Sequence, residues 1–400
     1  MIDEARQLHR RRLIASAAIA AVAVVSVAAC GSSSTSGSSS PGAGGGSGSS
    51  VSTEVAAARA DIAAHTSPVL SYPAVPTVAG TQALRGKTVW YVPLGAAVPI
   101  LAAFGTSMQD ALSHLGVEVH TCDGKFLPTQ IASCFNQAIT QGADGVVGGY
   151  VDYNLVSAAY DDLAAHHIPT LVAGVAPEAG KTNSPQFAFY NADANSQLTA
   201  KLLAESVIAD SNGNAHVLYV GDTDTAALVR ATSYTKDFFA QHCPGCSFSV
   251  VNYTTANINK VPSAVSAGLI SHPDTTYVLP GVDVTAAGSL SGIQTAGFEN
   301  KVKLASTTAS LDSMQRLKAG GTPQFLDVGD SNAYSGWLFA DNIVAMLTNH
   351  TPVSSVNAVI RIFTHDNVGD LSLTPSAYAS NQWYGSDAFK ATFLSAWGAS

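Results

Sequence analysis

Hydrophobic and polar residues alternate with two different periods between residues 88 and 173. Short apolar runs rich in β-branched and aromatic residues favour strands, and the stretches between them repeat apolar residues at helical spacing. Strands are predicted at 88–94, 117–121, 145–151 and 170–173, and helices at 100–115, 128–141 and 153–166. This alternation predicts a parallel, doubly wound sheet.

A second series of the same kind occupies the rest of the chain. Its strands are predicted at 187–190, 216–220, 248–253, 276–279, 302–305, 325–329 and 356–363. Its helices are predicted at 196–209, 226–241, 261–271, 285–295, 311–319, 334–348 and 386–397. Two consecutive series predict an α/β fold with two Rossmann-like lobes on parallel sheets. Ligands of such sheets bind beyond the carboxyl ends of the strands.

The N-terminus has a different pattern. Arg10-Arg11-Arg12 precedes an apolar run over 13–27, which is shorter than the roughly 20 residues that span a bilayer. Small residues then lead to Cys30, and a basic head, a short apolar run and small residues are typical of an export signal. The Cys after the small pair resembles the bacterial lipobox, which predicts a lipoprotein. A plain signal peptide or a membrane anchor is the alternative.

The expected processing leaves a tethered extracytoplasmic body. We expect a signal peptide over 1–29, lipid on Cys30 and a flexible Ser/Gly-rich tether over 30–50. A short helix and an extended linker are expected over 51–85. The lipid would hold the protein on the outer face of the cell membrane.

The composition is that of a packed, acidic protein. Hydrophobic residues make up 46% and charged residues 12% of the chain. Removing a leader with four Arg and two acidic residues takes the formal net charge from −9 to −11, so nucleic acid is not an expected partner. The remaining length exceeds what one core usually supports, which also favours two lobes.

Four Cys remain after Cys30. An even number in an oxidising compartment predicts disulfides, and we expect Cys122 to pair with Cys134 and Cys243 with Cys246. The alternative for Cys243-Pro-Gly-Cys246 is a thioredoxin-like redox pair. Such pairs usually lie at a helix N-terminus, whereas this motif follows a predicted helix, which favours a structural disulfide.

The sequence contains none of the common enzyme motifs. It lacks a phosphate-binding Gly-x-x-x-x-Gly-Lys-Ser/Thr loop, Gly-x-Gly-x-x-Gly, His-Glu-x-x-His and Gly-x-Ser-x-Gly. His166-His167 has no further ligand at metal spacing. We therefore expect no enzymatic activity, no cofactor and no metal. The alternative is a hydrolase that uses Asp152 and Asp283 as an acid/base pair.

Several turns resemble those of one family. Leu112–Val119 resembles its first helix and second strand, Ala138–Val147 its Ala-Ile-x-x-Gly-x-Asp-Gly-Ile turn, and His166–Thr170 the step into its fourth strand. Asp283 with Gly288 resembles its Asn-Asp-x-x-Ala-x-Gly strand end. In order and spacing, residues 86–349 resemble the type I periplasmic solute-binding proteins of the ribose-binding-like group.

The resemblance implies two lobes that close on a solute and hand it to an ABC permease. It implies a first lobe of 86–180 plus 330–358 and a second of 181–329 plus 359–400, joined by a three-segment hinge. The partners would be a sugar-like solute, the permease and, through the lipid, the membrane; the protein would be a monomer. A lipoprotein that presents its bound state to a membrane receptor is the alternative.

The candidate ligand contacts lie near strand ends, carry aromatic rings or, for Arg230, fall near a ligand-binding Arg of the family: Asp283, Asp152, Arg230, Phe104, Tyr150, Asp330 and Asn332. The aspartates could instead cap helices, Arg230 could form a surface ion pair, and the rings could lie in the core. Val282 and Thr307-Thr308 stand where the family usually has Asn and Asp-Gly. These departures predict a pocket less polar than that of a ribose-binding protein.

Overall fold

The computed structural model describes residues 47–355 and 358–399. The predicted signal peptide, the lipobox with Cys30 and residues 30–46 of the predicted tether lie outside the described residues. Residues 47–50, predicted as the end of the tether, instead form the start of a helix. Within the described part, no helix is both long and apolar enough to cross a membrane.

The elements follow the predicted alternation. The strands are β1 (Thr88–Pro93), β2 (Glu118–Thr121), β3 (Gly145–Gly149), β4 (Thr170–Ala173), β5 (Phe187–Tyr190), β6 (His216–Asp222), β7 (Ser247–Tyr253), β8 (Tyr277–Pro280), β9 (Lys303–Thr307), β10 (Gln324–Asp330) and β11 (Ile360–Thr364). The helices are α1 (Ser47–His65), α2 (Pro99–Ser113), α3 (Pro128–Thr140), α4 (Ser157–Ala165), α5 (Asp193–Asp210), α6 (Ala226–His242), α7 (Val261–Ser271), α8 (Ala286–Ala296), α9 (Leu311–Ala319), α10 (Asn332–Leu347), α11 (His365–Val368), α12 (Pro375–Tyr378) and α13 (Ala388–Ala396). Short 3-10 turns lie at Thr81–Leu84, Tyr153–Leu155, Thr255–Lys260 and Asp283–Thr285.

Two separate sheets form, as expected for two Rossmann-like lobes. The first has the order β2-β1-β3-β4-β5, and its strands are parallel. The second has the order β11-β10-β9-β8-β6-β7, and only β11 runs antiparallel to its neighbour. Central strands such as β1 and β3 are buried along almost their whole length, which explains their continuous apolar sequences. The predicted fold class is confirmed.

The first lobe is built around α10. This helix is buried along almost its whole length and packs on α2. A Cβ atom at Gly336 would lie 2.5 Å from Cβ of Ser107, so glycine allows the two helices to approach closely. The rings of Trp337 and Trp397 stack at 5.6 Å with a 3° interplanar angle, which fixes the end of the chain to this lobe.

The lobe boundaries differ from the expected ones in two places. The expected division at 180/181 assigned β5 to the second lobe, but β5 pairs with β4 in the first sheet. The expected second lobe also included the whole tail, but α13 packs on α10 of the first lobe. Both segments are short and apolar, so their sequences suit either core.

Three connections join the lobes at neighbouring points. They follow β5, β10 and α10. The amide of Asn191 donates to Ser354 O at 2.7 Å, and the amide of Ser331 donates to Val359 O at 2.9 Å. These hydrogen bonds tie the connections into one hinge.

The N-terminal segment adds a further link between the lobes. Helix α1 packs on α5 of the second lobe, where Arg59 donates to Asn212 Oδ1 at 2.7 Å. The chain then crosses to the first lobe. On the way the amide of Val69 donates to Tyr384 O at 2.6 Å, and that of Val78 to Ala396 O at 2.9 Å.

Both expected disulfides are present. Cys122 and Cys134 join the end of β2 to α3, and Cys243 and Cys246 close a turn between α6 and β7. The second pair follows the C-terminus of α6 and does not lie at a helix N-terminus, which favours the structural interpretation.

Candidate ligand-binding cleft

A cavity of about 220 Å³ lies between the lobes, at the carboxyl ends of the strands. The first lobe contributes residues that follow β1 and β3, and the second contributes residues that follow β6, β8 and β9. This is where open α/β sheets bind ligands, because the loops after parallel strands meet there. The cavity therefore has walls from both halves of the molecule.

Aromatic rings dominate its surface. Six line it, namely Phe126, Tyr150, Tyr190 and Phe339 from the first lobe and Tyr219 and Tyr253 from the second. Aliphatic side chains complete the apolar part, including Leu94, Val98, Ile100, Leu228, Val282 and Val284. The cavity offers wide apolar faces, as expected from Val282.

Three residues of the wall have left-handed backbone conformations. Phe126 has φ 58°, Tyr150 φ 58° and Thr308 φ 89°. Such conformations cost a non-glycine residue on the order of 1–3 kcal/mol and cluster at ligand sites. The ring of Tyr150 lies over the backbone of Gly174, where a Cβ atom would be 2.5 Å from the ring. Packing therefore holds Tyr150 in its strained position.

Hydroxyl and amide groups form the uncharged polar part of the wall. They come mainly from α5, α6 and the loop after β9: Asn195, Ser196, Thr199, Thr225, Thr235, Thr255, Thr307, Thr308 and Ser335. The hydroxyl of Thr307 donates to Gly281 O at 2.7 Å. A ligand in the cavity can meet both donors and acceptors here.

Asp330 is the last residue of β10 and lines the cavity. Burial raises the pKa of its carboxyl group to about 6, and hydrogen bonds from its own backbone amide and from the Ser335 hydroxyl partly counteract the rise. It forms no salt bridge with any described residue. Its charge also helps to raise the pKa of the buried Tyr150, so the two side chains are neighbours in the wall.

Asp222 ends β6 on the opposite side of the cavity. Its Oδ1 accepts hydrogen bonds from the amides of Asp224 at 2.9 Å and Thr225 at 2.6 Å. Burial raises its pKa, and those amides counteract the rise. The Tyr253 hydroxyl is a hydrogen-bonding neighbour of this carboxylate, and burial followed by the Asp222 charge raises the pKa of Tyr253.

The sequence of residues 91–350 matches the family model described as periplasmic binding protein domain. The match covers more than half of the chain and includes most of both sheets and the cleft between them. The chain belongs to this family. No curated protein matches the sequence of this periplasmic binding protein.

Solved structures show the same fold for this binding protein. A 5-methylthioribose transporter solute-binding protein from Thermotoga lettingae, in complex with 5-methylthioribose, has a TM-score of 0.63 at 16% identity; the match covers 77% of this chain and 97% of that one. A Caulobacter myo-inositol binding protein bound to myo-inositol has a TM-score of 0.61 at 21% identity and coverages of 74% and 98%. A sugar ABC transporter protein from Yersinia enterocolitica has a TM-score of 0.64 at 14% identity and coverages of 81% and 100%. The names of these similar structures describe binding or transport proteins, and none of the three describes an enzyme.

Two of the expected site residues, Tyr150 and Asp330, line the cavity of this binding protein. Two others meet beside it. Arg230 Nε donates to Asp193 Oδ1 at 3.0 Å, and the positive charge of Arg230 lowers the pKa of Asp152, although burial makes the net shift upward. Asp152 belongs to the first lobe and Arg230 to the second, so the pair is an electrostatic contact between lobes and not part of the cavity lining.

Phe104 lies behind the wall and does not line the cavity. Its ring stacks on Tyr150 at 5.8 Å with an 8° interplanar angle, and only 1% of the residue is exposed. Phe104 therefore lies in the core, as its alternative interpretation had it. Its contact with ligand can only be indirect, through Tyr150.

Asp283 and Asn332 also lie outside the cavity lining. Asp283 Oδ2 accepts from the amide of Ser310 at 2.6 Å, and the carboxyl group is fully buried beside that of Asp327, which helps to raise the pKa of Asp327. Asn332 donates to Tyr378 O at 3.3 Å and is 1% exposed. Both residues hold loops in place, and Asp283 does not share its surroundings with Asp152 as an acid/base pair would require.

Sequence reasoning missed four prominent wall residues. Tyr190, Asp222 and Tyr253 are each the last residue of a strand, and Tyr219 lies within β6. The strand-end position was a usable signal, because the side chain of a final strand residue lies where the loops begin. Among the described residues, no group of three or more His, Cys, Asp or Glu could hold a metal ion.

Proposed function

We propose that this protein is a lipid-anchored, extracytoplasmic solute-binding protein. It captures a small sugar-like molecule between its lobes and delivers it to an ABC importer. The observation that carries the proposal is a cavity whose walls come from both lobes across a hinge. A ligand held by both walls stabilises the closed arrangement, and closure is a signal that a membrane partner can detect.

The chemistry of the wall supports a partly apolar solute. Hydroxyls and carboxylates are available for the polar side of a sugar-like ligand, and aromatic rings for its apolar face. The similar structures carry ligands that range from 5-methylthioribose to myo-inositol. We expect the solute of this protein to resemble 5-methylthioribose more than myo-inositol, because the cavity has more apolar than polar lining residues.

Isothermal titration of the purified protein without its first 46 residues, against pentoses, hexoses, polyols and thio- or deoxy-sugars, tests capture. We expect saturable binding of at least one of them with a stoichiometry of one. A Gly281→Leu variant is the matched control, since a Cβ atom there would already lie 2.8 Å from the Tyr219 hydroxyl and a larger side chain enters the cavity. Equal heats from both proteins would argue against binding in the cleft.

Lipid anchoring is tested separately on the full chain. Intact-mass analysis of membrane-extracted protein should show a diacylglyceryl group on the peptide that begins at Cys30. A Cys30→Ala variant should leave the membrane fraction. Retention of the variant with its leader intact would instead indicate a membrane anchor.

Delivery is tested by uptake of a bound radiolabelled solute. Cells that lack this protein should lose uptake, and the full-length chain should restore it. Normal uptake without the protein, combined with a lost transcriptional response to the solute, would favour the receptor-presenting alternative.

A further inference from the structure

The charges around the cavity are unbalanced. Besides its tyrosines, the cavity has two ionisable side chains, Asp222 and Asp330, and none of the described lining residues is Lys, Arg or His. Asp222 is buried and Asp330 is partly buried in the cavity wall, and a charge with reduced access to water and no partner is unfavourable. The wall therefore has negative charge that no basic side chain of the wall neutralises.

The basic side chain on α6 beside the cavity is already paired. Arg230 lies on α6 beside the lining residues Leu228 and Ala231, but its guanidinium group is bonded to Asp193. Asp152 and Glu178 lie in the same neighbourhood and act on each other. Three acidic groups around one Arg leave this region negative as well, so it cannot compensate for Asp330.

The two carboxylates differ in how many hydrogen-bonding neighbours they already have. Asp222 accepts two backbone hydrogen bonds and has the Tyr253 hydroxyl beside it. Among the described residues, Asp330 has only its own backbone amide and the Ser335 hydroxyl as hydrogen-bonding neighbours, with the aromatic ring of Tyr150 close by. Asp330 is therefore the group that gains most from a positive partner.

The aromatic rings suit the same kind of partner. A cation near the face of Tyr or Phe is attracted by the quadrupole of the ring, and the attraction grows when water is excluded. Six aromatic residues line the cavity, so an ammonium group there has both a carboxylate and aromatic rings within the same wall. A neutral polyol would satisfy hydrogen bonds but would leave the charge in place.

We propose that the solute is a small organic cation: a protonated amine on a compact, partly apolar, sugar-like body, with the ammonium group beside Asp330. This inference rests on the proposed capture of a solute in the cleft. It excludes sugar acids and sugar phosphates, whose negative charge would meet two carboxylates and no base.

Matched probes that differ in charge test this inference. The probes are D-glucosamine against D-glucose and N-acetyl-D-glucosamine, tyramine against tyrosol, and D-glucuronate as the anion. Native mass spectrometry and isothermal titration at pH 7.5 measure each Kd. We expect the amine of at least one pair to bind about 10- to 100-fold more tightly than its neutral partner, the usual range for a charged hydrogen bond, and glucuronate not to bind.

Variants identify the carboxylate responsible. Asp330→Asn should abolish the preference for the amine while the variant keeps its cooperative thermal transition. Asp370→Asn, at an exposed position away from the cavity, should keep the preference unchanged. A preference that survives Asp330→Asn overturns the assignment of the ammonium site.

The remaining outcomes separate the two proposals. Neutral partners that bind as tightly as their amines overturn the charge inference and leave solute capture in place. If no probe binds and no compound is retained from an equimolar mixture of amines, polyols and carboxylates, the charge inference and the capture of a solute both fail.

Discussion

Asp330 should make the ligand-free protein less stable, although it favours ligand binding. Its carboxyl pKa is 3.8 in an unfolded chain and about 6 in the fold. The difference of about two units corresponds to about 3 kcal/mol, since one unit is worth about 1.4 kcal/mol. Because the folded-state pKa is raised, the protonated group stabilises the fold below the unfolded value, and this contribution is lost as the pH rises through about 6.

The Asp330→Asn variant removes this dependence. At pH 7.5 we expect its free energy of unfolding to exceed that of the wild type by up to about 3 kcal/mol. At pH 4.5 about 2 kcal/mol of that advantage should disappear, because wild-type Asp330 is then protonated in the fold. Other buried acids with raised pKa values, such as Glu205 and Asp341, are present in both proteins and cancel in the comparison.

Urea unfolding of ligand-free protein, followed by tryptophan fluorescence at both pH values, measures these differences. Asp370→Asn removes an exposed carboxylate and should change neither value by more than about 0.5 kcal/mol. An Asp330→Asn variant that is no more stable than wild type at pH 7.5 would refute the reasoning. So would an equal gain at both pH values, since titration could not then be the cause.

Three further predictions concern the wall and its support. Phe104→Ala should lower the free energy of unfolding by about 3–5 kcal/mol and should weaken solute binding, because it removes the ring behind Tyr150. Urea unfolding measures the first effect and calorimetric titration the second. An unchanged affinity would contradict the supporting role of Phe104. Replacing both Cys122 and Cys134 by Ser should cost about 3 kcal/mol relative to the oxidised wild type on the chain-entropy model, measured by urea unfolding. Under reducing conditions, the variant and the wild type should be equally stable. Binding of an amine probe should weaken about tenfold per pH unit below the Asp330 pKa of about 6. Calorimetric titration at pH 5 and pH 7.5 tests this. Equal Kd values at the two pH values would show that Asp330 is not the partner of the amine.

The hydrophobic pattern sufficed for the two-lobed α/β fold because parallel strands, buried on both faces, read as continuous apolar runs. The pattern could not assign a short strand such as β5 to one sheet or the other. That choice depends on where the chain crosses the hinge, which no local sequence signal marks. The end of the chain posed the same problem, since the rings of α13 suit any apolar surface and only the stacking on Trp337 shows which one they use.

The candidate site was accessible from sequence only in part. Asp330 and Tyr150 were identifiable because they end strands or lie one residue beyond them. Asp283 lies three residues after β8, and its carboxylate accepts a hydrogen bond from the amide of Ser310, while Val282 before it lines the cavity. A single step along the backbone decides between the two directions. That step depends on the neighbouring loop, which the local sequence does not describe.

The N-terminal segment and the tail have a mechanical consequence for the hinge. Most proteins built on two such lobes would rotate about three connections, but here the chain also passes between the lobes after α1 and again before α13. The two extra passages are hydrogen-bonded to each other at Val69–Tyr384 and Val78–Ala396. We expect a hinge with five connections to allow a smaller rotation of the lobes than a hinge with three. The cleft then opens less widely, and solute exchanges more slowly.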